Sequence, residues 1–270
     1  MTEQPEQWWG DFTFDPGMGG QWEIGRLRIA VQRRPREWLV AHESIEMTEN
    51  GEEWRFAYSD LDLNEGKFAH VSRFVYRSTT EQLSILPALA DRSVVTRPLT
   101  PFSVPADESA TIYISTPLWF TLSTGLSTLS FFEIPIQRPS DTWFGSSTLE
   151  GETCYAIRTH GRLSLENLTL YQYRAITEVH IRNQSPEPLL IERLNIPVTY
   201  LSLFQDPSNN LWTETVTVVQ EQSESLAEFN IERDAPAPAI GGRLIAKPRE
   251  NLQKGMLIRA FGALTLQGSD

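Results

Sequence analysis

From residue 111 to residue 122 the side chains alternate between two characters. Ile112, Ile114, Leu118, Phe120 and Leu122 fall on one side; Thr111, Tyr113, Ser115, Pro117, Trp119 and Thr121 fall on the other. Successive side chains of a strand point to opposite faces, so this run predicts a half-buried strand with one dry face. Pro117 cannot donate to a ladder and marks an edge or a bulge. Strand-like runs recur at residues 22–34, 37–45, 54–58, 68–77, 93–99, 129–136, 153–159, 175–183, 189–194, 198–204, 212–219, 226–233, 243–247 and 257–266, with the alternation plainest at 22–34 and 226–233. They are rich in Val, Ile, Thr and Tyr, which suit a pleated surface. Clusters of Pro, Gly, Asn and Ser separate them.

A helical period is almost absent. Residues 79–89 have some helical propensity, but Pro87 would break a helix there, so an irregular passage is predicted. Residues 165–173 fit either a short helix or an edge strand. Parallel sheets need long crossovers, usually helical, and none is visible. The chain is therefore expected to be all-β. Its sheets should be mostly antiparallel, packed as one or two β-sandwich-like domains with little helix. At 270 residues it is long for one domain and comfortable for two. Residues 100–108 hold two prolines among polar side chains and form the best linker, which divides the chain softly into 1–105 and 106–270.

Charge and composition exclude several partners. There are 35 acidic against 23 basic side chains, a net charge of -12. A phosphate backbone is repelled by such an average field, so no nucleic acid is expected, and anionic membrane surfaces are disfavoured likewise. Arg26, Arg28, Arg33, Arg34 and Arg36 form a local basic cluster that reads as the solvated face of a strand. No apolar run approaches the roughly twenty residues of a spanning helix, so no membrane insertion is expected. The N-terminal MTEQPEQWWGDF lacks the basic and apolar regions of a signal peptide. Cys154 is the single cysteine; it can form no intrachain disulfide and reads as a small buried hydrophobe. A cytoplasmic location is the expectation.

No known catalytic constellation appears. His42, His70, His160 and His180 are scattered singly, without metal-ligand spacing, and no nucleotide or nucleophile-elbow motif occurs. Neither a metal nor a cofactor is expected. The most distinctive segment is residues 140–147, a predicted loop containing Asp141, Trp143, Phe144 and Gly145. The two rings are either a plug over one end of the core or an exposed contact site. Trp119, on the polar side of its strand, is the candidate surface aromatic. Two functional readings follow. In the first the protein is not an enzyme and acts by contact with a protein partner or as a homo-oligomer, its rings being core and interface anchors. In the alternative it is a carbohydrate-binding module or a cryptic glycan-active enzyme, with Trp119 and Trp143 as sugar platforms and Asp141 and Glu150 as the acid pair.

Several runs resemble a poorly characterised prokaryotic family, domain of unknown function 432. They are Tyr113-Ile-Ser-Thr-Pro-Leu-Trp119, Glu133-Ile-Pro135 with Ser140-Asp-Thr-Trp-Phe-Gly145, Gly151-Glu-Thr-Cys-Tyr155, and Ile191-Glu-Arg-Leu-Asn-Ile-Pro197 followed by Leu211-Trp-Thr213. The segment from Asp141 to Gly145 is the most specific. The likeness spans about residues 20–235. It brings no established activity and assigns no catalytic residue; it implies an association with small mechanosensitive membrane channels.

Overall fold

The alternating run at 111–122 forms two strands rather than one. In the computed structural model, which describes residues 5–46, 53–60, 63, 68–125, 129–145, 149–221, 226–251 and 256–262, strand Ser109–Pro117 ends at the proline and strand Trp119–Thr124 begins two residues later. The first pairs along its length with Arg174–Asn183, the second with Gln82–Ala88 and Phe132–Pro135. The chain changes unit at this point. One unit comprises Met1–Ala88 with Leu118–Gln137, the other Leu89–Pro117 with Arg138–Asp270. The boundary expected near residue 105 lies within the second unit. There the proline-bearing segment contributes strand Phe102–Val104, paired with Leu189–Ile191.

The first unit is built from two antiparallel sheets. One has five strands in the order Trp54–Ser59, Gly19–Ile24, Leu27–Arg34, Glu37–Ser44, His70–Val75; the other has four, Gly10–Thr13, Gln82–Ala88, Trp119–Thr124, Phe132–Pro135. The predicted strand at 22–34 is thus a hairpin. Gly25 sits at its turn with φ 53°, a conformation glycine adopts without strain. Rings from the two sheets meet between them: Phe12 on Trp22 at 5.1 Å, Trp22 on Phe120 at 5.8 Å and His42 on Phe132 at 5.8 Å between centroids. Trp8, Trp22 and Trp38 are fully buried. Burying roughly 150–250 Å² per ring at about 25 cal/mol per Å² yields about 4–6 kcal/mol of transfer free energy each. Most of the tryptophans are therefore core, as the commoner use of such rings predicts. The arginine cluster is paired rather than merely solvated: Arg28 bridges Glu23 and Glu43 on the neighbouring strands, and Arg34 meets Glu37.

Residues 82–88 are a strand, not the irregular passage expected. Pro87 is tolerated because the neighbour Gly10–Thr13 pairs only with Gln82 to Ile85, so beyond that point the strand has the edge-like character proline accepts.

The second unit holds an eight-stranded sheet around Arg174–Asn183, a five-stranded sheet and a two-stranded pair. Pairing is mostly antiparallel, but Arg174–Asn183 runs parallel to Leu211–Thr213 and Val216–Gln220, and Gly151–Ala156 runs parallel to Val94–Thr96. The crossovers that sequence reasoning sought as helices are made by other strands and loops. Helix among the described residues is limited to short 3-10 turns, including Leu165–Asn167 in the ambiguous segment. None is long and apolar enough to cross a membrane.

Candidate functional site

The segment Asp141-Thr142-Trp143-Phe144-Gly145 is a strand, not a loop. Ser140–Gly145 pairs antiparallel with Gly151–Ala156, while Ser146 and Ser147 lie outside the described residues. Thr, Trp and Phe are strong strand formers, and a matching partner strand outweighs the turn preference of Ser and Asp. The five-stranded sheet runs Ser140–Gly145, Gly151–Ala156, Val94–Thr96, Arg193–Ile196, Phe261–Gly262, so the signature strand is an outer one.

Alternation splits the signature between two faces. Asp141 and Trp143 share one, opposite Tyr155 and Thr153. Arg92 Nη1 donates to Asp141 Oδ1 at 3.2 Å, and its guanidinium lies 5.3 Å from the centre of the Tyr155 ring. Tyr155 in turn donates to Asp91 Oδ1 at 3.0 Å. Burial, then Asp91, pushes the Tyr155 hydroxyl pKa up. Trp143 is 44% exposed. Its ring lies across Gly151, where an added Cβ would stand 2.9 Å from it, so the glycine makes the room.

The other face holds Phe144, which is 1% exposed and packs with Val95 and Cys154. The Arg193 guanidinium sits 5.0 Å from the Phe144 ring centre, and its Nη2 donates to the Trp143 carbonyl at 3.2 Å and to Thr142 Oγ1 at 3.4 Å. Burial lowers the Arg193 pKa, and the like charge of Arg97 lowers it further. Burial pushes the Cys154 thiol up to about 12, with Glu152 adding to the effect. Its Sγ lies 3.7 Å from Asn195 Oδ1. Such a thiol stays protonated at neutral pH and is a poor nucleophile. The two adjacent rings therefore differ: Phe144 is the plug and Trp143 is half-exposed.

A cavity of about 480 Å³ opens beside Phe144, with Glu152, Asn195, Tyr200, Glu250 and Arg259 in its wall. Asn195 Nδ2 donates to Glu152 Oε1 at 2.7 Å and to the Arg259 carbonyl at 3.3 Å. Burial raises the Tyr200 pKa, and Glu250 raises it further.

Trp119 is not a surface aromatic. It is 4% exposed, because strand Trp119–Thr124 lies between two neighbours and the face that reads as polar is also covered at this end. The glycan arrangement loses that platform. The expected acid pair is divided between cations: Asp141 meets Arg92, and Glu150 Oε2 lies 3.9 Å from Arg259. Of the scattered histidines, His42 and His70 are brought together on adjacent strands of the first unit, 5.1 Å between ring centres. No group of three His, Cys, Asp or Glu placed to hold a metal occurs among the described residues. Sequence reasoning did not single out Arg92, Arg193 and Asn195, since Arg92 comes from a bend and the other two from strand Arg193–Ile196, far from the signature in the chain.

The fold and this sheet define an all-β protein of two discontinuous units whose signature strand carries one anchored and one half-exposed ring. The chain belongs to the family described as protein of unknown function (DUF432), whose model matches residues 8–266. No curated protein and no solved structure matches it.

Proposed function

We propose that this is a cytoplasmic, non-enzymatic protein that works by contact, engaging another polypeptide through its signature strand. The observation that carries this reading is the half-exposed Trp143 on an outer strand whose neighbour Phe144 is locked in the core. An outer strand offers backbone donors and acceptors to an added strand, and tryptophan is enriched where interfaces gain most of their free energy. Asp141 and Gly145 flank the ring on the same strand. The partner is a protein or a second copy of the chain; the family likeness suggests a small mechanosensitive membrane channel.

Affinity capture from detergent-solubilised membranes of the native host, together with sedimentation of the purified protein, tests this. The wild type should retain a channel protein or self-associate, and Trp143→Ala should lose that association while keeping its fold. An unchanged partner list and unchanged mass for Trp143→Ala would defeat the reading. Trp143-dependent signals on a glycan array, without a protein partner, would replace it by the sugar-binding alternative.

A further inference from the structure

A second, smaller cavity of about 220 Å³ opens on the Phe144 face of the same sheet, and its polar wall consists of Arg97, Thr142, His160 and Arg193. Val95 and Ala156 contribute an apolar floor. In a chain with 35 acidic side chains against 23 basic ones, this wall contains no carboxylate. Two guanidinium groups and an imidazole converge there without a counter-ion among the lining residues. The two guanidinium charges repel one another unless an anion joins them.

Backbone pairing positions the segments that carry the cavity's lining, in which Arg97 and His160 are exposed and Arg193 is half-buried. Ile157 N–H donates to Val95 O at 3.0 Å, Gly161 N–H to Arg97 O at 2.8 Å, and Leu99 N–H to Gly161 O at 3.3 Å. Residues 157–161 are thereby zipped alongside 95–99, which holds His160 and Arg97 on adjacent chains. Arg193 is fixed by its bonds to Thr142 and Trp143. Its Nε is buried with no acceptor among the described residues, an unspent donor. Thr142 Oγ1 accepts from Arg193 at 3.4 Å.

We propose that this cavity binds a phosphoryl group, as free phosphate or as the phosphate of a small ester. A tetrahedral dianion can take donors from several sides at once, whereas a planar carboxylate is served by one guanidinium fork. The volume lies below the roughly 300–1,000 Å³ of pockets that enclose drug-sized ligands, so a nucleotide is too large and the anion must be compact. The site stands apart from the contact reading and does not depend on it.

The test is calorimetric titration of the full chain with inorganic phosphate, phenyl phosphate and acetate at fixed ionic strength. Arg97→Gln and His160→Gln are compared with Arg158→Gln, which removes an equal charge from an exposed residue outside the cavity. One saturable phosphate site is expected, weakened about tenfold or more by Arg97→Gln, the loss expected for a charge-assisted bond. It should be weakened by His160→Gln too and left unchanged by Arg158→Gln, and acetate should neither bind saturably nor compete with phosphate. Tighter binding of phenyl phosphate identifies an ester, and equal or weaker binding free phosphate. No saturable heat with either phosphate, or equal weakening by Arg97→Gln and Arg158→Gln, overturns the proposal. Melting temperatures without phosphate show which variants are folded, and His160→Gln decides the matter if Arg97→Gln is not.

Discussion

Trp143 and Phe144 are chain neighbours with opposite fates, and truncating each to alanine separates anchoring from contact. Phe144 is 1% exposed, packed on Val95 and Cys154 and covered by Arg193. Deleting a buried phenyl ring costs about 3–5 kcal/mol, and loss of the guanidinium stack adds about 0.5–1 kcal/mol. Trp143 is 44% exposed, with its ring across Gly151, so its removal should cost about 1 kcal/mol or less. Against a typical stability of about 5–15 kcal/mol the first loss is large and the second small. Urea unfolding followed by far-ultraviolet circular dichroism reads the difference. At an m-value of about 1–3 kcal/mol per M, Phe144→Ala should lower the midpoint by about 1 M or more, in the transition of the second unit if the two units melt apart. Trp143→Ala should move it by a fraction of that. Equal shifts, or a larger shift for Trp143→Ala, would refute the assignment of the two faces and with it the contact reading.

Two further outcomes are expected. Cys154, with its thiol pushed up to about 12, should resist alkylation at pH 7.5 in the folded protein and react at the ordinary rate in urea; rapid modification of the native state would contradict its burial. In the first unit, burial and then His70 lower the His42 pKa, and Phe132 packs against the same ring. The unfolded chain therefore binds the proton more readily. The contribution of neutral His42 is complete above about 6.5, the ordinary histidine value, and is lost as the pH falls below it. The wild type should lose stability between pH 7.5 and 5.5, and His42→Gln should lose less; parallel losses would show that His42 is not the group responsible.

Much of the local structure was legible from residue order. The period of two marked Leu27–Arg34, Glu37–Ser44 and Arg174–Asn183, because a strand with one dry face must alternate. It failed where neighbours decide. Pro87 lies in a strand because one flanking strand stops short of it. Trp119 looked exposed because alternation assigns faces without showing whether the second face is covered. The signature segment read as a loop because its turn formers are visible in the sequence and its partner strand is not. At the site, Asp141, Trp143, Phe144 and Gly145 stood out by composition, whereas the arginines that fix them, Arg92 and Arg193, arrive from a bend and a strand 49 and 50 residues away and left no spacing to recognise.

The sequence by itself determined an all-β chain, mostly antiparallel, with tryptophans largely given to the core, since side-chain alternation and ring burial are local consequences of residue type. Tertiary structure alone decided that the run at 111–122 serves two different units, that Phe144 is buried while Trp143 is half-exposed, and that Arg97, His160 and Arg193 share one cavity. The reason is that strand pairing joins segments far apart in the chain, and which residues meet across a sheet depends on register and strand order, which no local pattern encodes.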